Sequence, residues 1–457
     1  MTLMKAMEAT NAGRGLASVL TAGFVSVLVG CSGHSERTLP VRTALDEGAP
    51  RAAIHALNKE LEVDHDGDMP TKIEGDNALL VLDRASIQQS LAQWKLAQND
   101  FQAADKAIDM LDLAHNAGDS IGTYMFSDSS GKYVAPPYEK LLINTLNMID
   151  YLEEGDLSGA KIEARRLAVM QKYYADQLNA RDNPILGLGG FLAGLAFEKA
   201  GDIDEALRWY DEALAFTGYD VLAPTIARLL PQGTYSSPRL KQAAARGQAE
   251  PPLADDEGEV IFVIGYGRVP HKIPKRIPIG LALTMVSGSI SPGNYAMANK
   301  LAAQGLVTWV NYPTLAPGQG SYAIPQCVID GQYVRLEEAV NVSQQVREEW
   351  KNIEGKVILS AITRLITRLA VGGGIQAATK GSLFGTLLSL GTQATMTALD
   401  TPDTRSWETL PARIAIARVR VKAGTHPTHL DARGVTRDQP LAVAKGGWSL
   451  VSLMALR

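Results

Sequence analysis

The chain has 457 residues, 46% of them hydrophobic, and a formal net charge of −5. That much apolar sequence supports a large core and excludes wholesale disorder, while the small acidic excess excludes the basic surface of a nucleic-acid binder. Two cysteines, Cys31 and Cys327, are too few for a disulfide framework or a cysteine zinc site.

Residues 1–30 carry Lys5 and Arg14, and Leu16 to Val29 then hold no charge. A basic stretch before an apolar run too short to span a bilayer comfortably reads as an export signal. The run closes on Leu28-Val29-Gly30-Cys31, which resembles the lipobox of bacterial lipoproteins. The resemblance implies cleavage after Gly30, thioether lipidation of Cys31 and acylation of the new N-terminus, a firmer anchor than any single acyl chain. Ser32, not Asp, follows the cysteine; in Gram-negative lipoproteins this implies sorting to the outer membrane, facing the periplasm. Residues 31–50 are expected to be a polar tether.

Residues 51–230 read as helices punctuated by one phrase: Gly or Asn, Asp, an apolar residue, two spacers, Ala. It occurs at Asn99–Ala104, Gly155–Ala160 and Gly201–Ala206. Gly or Asn suits a left-handed helix end, Asp suits the next N-cap, and Ala permits close approach of the paired helices. The phrase resembles the turn of tetratricopeptide repeats, best in the third copy, with Gly194, Phe197, Ala206, Tyr210 and Ala213. Such repeats present a concave binding surface and carry no catalytic apparatus. The resemblance places Ser86, Gln89, Gln93, Leu142, Ile149, Leu188, Phe191 and Leu195 in the groove. Its apolar half is expected to be covered, by the C-terminal part of the chain or by a partner.

Residues 231–258, with Pro251-Pro252 and Asp255-Asp256-Glu257, read as a linker. Residues 259–457 then form an α+β domain with a mainly antiparallel sheet. Strands are predicted at Glu259–Gly267, Leu306–Tyr312, Arg413–Val421 and Trp448–Leu456, with a hairpin through Asp330-Gly331. A helical excursion is expected over 336–400, as a hairpin turning at Gly372-Gly373-Gly374 into the uncharged run 381–399, whose Gly381–Gly385 spacing suits close helix packing. The fold expectation is therefore α+β and multidomain, with repeat-like helical hairpins ahead of a sheet domain.

Candidate chemistry is sparse. Gly265–Arg276 concentrates glycines with Arg268, His271, Lys272, Lys275 and Arg276, an anion or partner loop that lacks the Walker pattern. His426 and His429 flank Pro427 and read as strand-edge histidines, and Asp64–Asp68 as an acidic loop. Cys327 lies in a strand-like run and reads as a buried, inert thiol. No cofactor, metal or catalytic constellation is expected.

Asp403-Thr404-Arg405-Ser406-Trp407, followed by Leu410-Pro411, resembles a motif of a family of uncharacterised bacterial lipoproteins, with Pro402 where that family has Ala. Its members join N-terminal helical repeats to a C-terminal domain and are often encoded near lipoproteins that activate penicillin-binding proteins. That neighbourhood points to envelope assembly, but the family has no assigned activity and the resemblance supplies none; the expectation of a membrane-anchored scaffold or adaptor that binds envelope proteins comes from the repeat-like half. A second expectation is a secretion or pore accessory whose 357–399 hairpin oligomerises or meets the membrane. From the residues alone, Asp403 and Arg405 are expected to pair and hold a corner before a strand.

Overall fold

A computed structural model describes residues 33–73, 76–108, 133, 135–177, 183–247, 251–305, 307–318, 322–378 and 401–457. The signal segment, Cys31 and the 381–399 run lie outside the described residues.

The N-terminal half is helical: α1 (His34–Arg37), α2 (Leu39–Asp46), α3 (Pro50–Glu60), α4 (Asp76–Ser90), α5 (Trp94–Ala107), α6 (Pro137–Glu153), α7 (Leu157–Gln177), α8 (Ile185–Lys199), α9 (Ile203–Ala213), α10 (Ala223–Leu229) and α11 (Pro238–Arg246). Successive helices pair as hairpins, α4 with α5, α6 with α7, α8 with α9 and α10 with α11. The second and third copies of the phrase form the expected turns. Gly155 and Gly201 take φ of +70° and +80°, and the Asp156 side chain accepts from Gly159 N at 2.9 Å. Asp202 stands at the equivalent place without a capping bond from its side chain. The first copy is not a turn, because Asn99–Ala104 lies inside α5 and the chain turns earlier, at Ala92 (φ +56°). There Asp100 serves the core, pairing with the buried Arg84 at 2.7 and 2.8 Å.

Two boundaries differ from expectation. Residues 34–46 are not a tether but two packed helices with Ser35, Thr38 and Arg42 buried. Much of the expected linker extends the helical half: Ser237 caps α11 by accepting from Leu240 N, and Leu240 and Ala243 are buried.

The C-terminal half holds β1 (Glu257–Arg268), β2 (Lys272–Pro278), α12 (Ile279–Met285), α13 (Pro292–Ala303), β3 (Trp309–Leu315), β4 (Gln326–Ile329), β5 (Gln332–Val334), β6 (Glu337–Asn341), α14 (Val342–Ala378), β7 (Pro411–Lys422), β8 (Gly424–Ala432), β9 (Val435–Val443) and β10 (Trp448–Ala455). One sheet runs β10-β1-β7-β6, antiparallel except for the β1–β10 pair, and a second runs β5-β4-β8-β9, wholly antiparallel. Strands β2 and β3 pair separately and enclose α12 and α13. Asp330 (φ +52°) and Gly331 (φ +77°) make the predicted β4–β5 hairpin. Helix α14 starts after a strand at 337–341 and continues through Gly372–Gly374, so the turn expected there is helix; the expected second arm, 382–399, lies outside the described residues. No helix among the described residues is long and apolar enough to cross a membrane. The architecture is α+β, and its halves are not independent. One core cluster runs from Leu57 and Phe191 in the helices to Ile261, Ile414 and Met454 in the first sheet.

Glycines set the closeness of the helix pairs. A Cβ on Gly194 would lie 2.4 Å from the Tyr210 ring, and that ring cannot swing aside because its hydroxyl donates to Glu198. Gly194→Ala is expected to cost about 1–3 kcal/mol by overpacking, read by urea unfolding. Gly201→Ala, strained only by its positive φ, should cost about 1–2 kcal/mol. A Gly194→Ala protein as stable as the parent would show that these helices are not locked together.

Candidate functional site

The helical hairpins are packed against a segment of the chain's own C-terminal half. The segment from Thr404 to Leu410, just ahead of β7, is buried throughout. Its anchor is Trp407, which packs its ring 5.9 Å from Phe101 and donates from Nε1 to Ser86 Oγ at 3.1 Å. Three backbone amides in a row go to helix carboxylates: Trp407 N to Glu139 Oε1 at 2.9 Å, and Glu408 N and Thr409 N to Asp83 Oδ1 at 3.1 and 3.0 Å. Thr409 Oγ1 donates to the same Asp83 oxygen at 2.8 Å. A loop without a sheet partner thus finds its backbone acceptors on α4 and α6.

The N-terminal helices close the other side. Ser35 N donates to Thr404 Oγ1 at 3.1 Å and Thr38 Oγ1 to Glu408 at 2.8 Å, while Arg42 ion-pairs with Glu408. The expected Asp403–Arg405 pairing is present, with Arg405 Nε and Nη2 at 2.9 and 2.7 Å from the carboxylate. Arg405 also lies over the Tyr133 ring, 5.6 Å from its centroid.

This geometry relocates the predicted groove residues. Ser86, Gln89, Leu142, Ile149, Leu188, Phe191 and Leu195 are all buried, with Gln89 Nε2 donating to Leu146 O and Asp150, so the face is not open to a separate partner. Gln93 is half-buried at the start of α5. The expectation that the apolar half is covered is met by the chain's own sheet and the Trp407 segment.

The predicted anion loop also dissolves. Gly265, Gly267 and Arg268 belong to β1, and the buried Arg268 ion-pairs with Asp46 of α2. Lys272 opens β2 with its backbone N donating to Ser406 Oγ at 3.4 Å, and His271 is half-buried. Only Lys275 and Arg276 are exposed. His426 and His429 lie on β8, paired with Asp330 at 2.6 Å and Asp438 at 2.7 Å, far in sequence from His271 and in separate contacts. A shallow cavity of about 360 Å³ beside Asp330 is lined by Tyr333, Val419 and Arg420. Cys327 is buried on β4, its thiol pushed up to about 12 by burial, as expected of an inert cysteine. Among the described residues no group of three or more His, Cys, Asp or Glu is placed to hold a metal ion.

Two electrostatic regimes join the halves. Around Trp407, burial dominates: it raises Asp83 well above the usual carboxylate range, raises Glu139, and pushes Glu408 up to about 7 against the pull of Arg42. Between α8 and the sheet, charge dominates. Arg418 of β7 holds Glu198 at 3.0 Å and Glu259 at 2.8 Å, with Lys199 and Arg228 on the same carboxylates. Burial opposes ionisation there too, but Arg418 and Lys199 overcome it and keep both carboxylates well below the ordinary range. Sequence reading missed this network, since its members are scattered between Glu198 and Arg418 and no local spacing links them.

Trp407→Ala is expected to cost about 3–5 kcal/mol in urea unfolding. Asp83→Asn, which keeps the accepting oxygen of a neutral carboxyl, should cost less than Asp83→Ala, which orphans three donors at about 1–3 kcal/mol each. Equal losses would contradict the acceptor role. For Glu408 the folded value lies above the ordinary 4.5, so its contribution is full below that pH and declines as pH rises toward 7. The stability gap between the parent and Glu408→Gln should therefore narrow from pH 5 to pH 8; a widening gap would show that the Arg42 pair, not burial, governs this carboxyl.

Scans against protein-family models, curated proteins and solved structures found no match to this chain.

Proposed function

We propose that this chain is a lipoprotein of the outer membrane, anchored through Cys31 on the periplasmic face, and that it acts as a scaffold or adaptor in envelope or surface-apparatus assembly. The lipobox-like Leu28–Cys31 and the Asp403–Trp407 motif of the lipoprotein family support the reading. So does the form of the helical half, whose Gly194–Tyr210 packing and Gly155 and Gly201 turns suit tetratricopeptide-like hairpins. The observation that carries most weight is the seating of the N-terminus. Cys31 stands two residues before Gly33, and a Cβ on Gly33 would lie 3.2 Å from Thr404 Oγ1. An acylated Cys31 would then hang on at most about 7 Å of chain, holding the whole body against the bilayer. A scaffold needs such a fixed platform more than a swinging one. Because the groove is filled, partners meet the outer surface, where Ile162 and Val169 of α7 are exposed.

In a Gram-negative host, labelled palmitate is expected to enter the parent and not Cys31→Ala, and the parent should fractionate with the outer membrane. A photoreactive residue at Val169 should capture a discrete envelope protein, and the same residue at Leu142 should yield only crosslinks within the chain. Absence of label from the parent would contradict the anchor, and capture from Leu142 would contradict the filled groove.

A further inference from the structure

Strands β2 and β3 with α12 and α13 form a small lobe that packs on α14 around Leu283, Val310, Tyr312, Ile358 and Ile362. The chain contains 49 acidic residues, yet none falls between Val260 and Ile329, and none between Gly355 and Leu399. All the pieces that build the lobe's core come from those two acid-free stretches. Its exposed charges are cationic: Lys275 and Arg276 on β2 and Lys300 on α13. Leu281, Met285, Tyr295, Met297 and Trp309 are each 41–51% exposed on the same lobe. Leu281 and Met285 are one helical turn apart, and Trp309 pairs with Pro278, the residue leading into α12.

We propose that this lobe is a second membrane contact, seating Leu281, Met285 and Trp309 at the headgroup boundary of an anionic phospholipid surface with Lys275, Arg276 and Lys300 around them. Trp and Tyr beside aliphatic residues suit the bilayer interface, and cations on a stretch of chain without acids suit its negative potential. A protein partner of mixed surface charge would give no reason for seventy consecutive residues without an acid. Position supports the same occupant. The lobe springs from Lys272, whose backbone N meets Ser406, two residues from the Thr404 that receives the N-terminal Ser35. The N-terminal helix and the lobe root therefore meet the body at one corner. The inference rests on the anchored reading only for the nearness of a bilayer.

The test uses residues 31–457 carrying Cys31→Ser, which retain every described residue and no acyl chain. The protein is expected to float with phosphatidylglycerol-containing vesicles and not with pure phosphatidylcholine, and to be released by salt. Its tryptophan emission should shift to the blue on binding, a shift lost in Trp309→Phe. Combined Lys275→Glu, Arg276→Glu and Lys300→Glu should lower partitioning by roughly a hundredfold with unchanged melting. Failure to bind either vesicle, or equal binding by the charge-reversed protein, would overturn the proposal. So would a dimer in ultracentrifugation that Leu281→Asp abolishes without any vesicle binding, since the face would then belong to a second copy. The assay carries no anchor, so its result is separable from palmitate labelling of Cys31.

Discussion

The structure depends on Trp407 and the three amides around it being delivered to the helical hairpins. The helices that receive them are apolar around Phe101 but carry the buried Asp83 and Glu139, carboxyls that burial would make costly if left alone. The Thr404–Leu410 segment has the complementary problem, a run of backbone donors with no strand beside it. Docking solves both at once, and neither surface is stable in that form without the other. The helical half and the sheet are consequently one folding unit, and undocking would expose apolar surface and strand the three amides and both carboxyls together.

Around that contact the charges divide by mechanism. Carboxyls near Trp407 are buried ahead of being paired, so they favour the protonated form, and their contribution weakens as pH rises through the folded value. Glu198 and Glu259 sit against Arg418 and Lys199, so their contribution is present above the ordinary carboxylate value and weakens as pH falls. The two halves of the interface thus lose strength in opposite directions, which confines greatest cohesion to mildly acidic conditions. Breaking the Arg418 network by removing one partner would leave an uncompensated buried charge, the costly way to disturb such a site.

Local signals in the sequence were good guides wherever local physics decides. Gly155 and Gly201 mark helix ends because only glycine takes those backbone angles without strain, and Asp330-Gly331 marks a hairpin for the same reason. The alternating and continuous apolar runs located β1, β7 and β10. Asn99–Ala104 misled because a phrase tuned to turns also fits a helix interior when its Asp finds an arginine, here Arg84. The polar N-terminal stretch misled because Ser35, Thr38 and Arg42 are polar for a partner more than 360 residues away, at Thr404 and Glu408. Long-range pairing leaves no periodicity to read. The same is true of Arg268, whose glycine-rich surroundings suggested an anion loop while its charge was committed to Asp46.

The most direct test of this account is native-state hydrogen exchange at the Trp407, Glu408 and Thr409 amides. If the segment fills the hairpin array as described, these amides exchange only with global unfolding, at the rate of the α4 and α6 core. Exchange of the three amides within minutes, while α4 and α6 stay protected, would show an open groove and contradict the central claim.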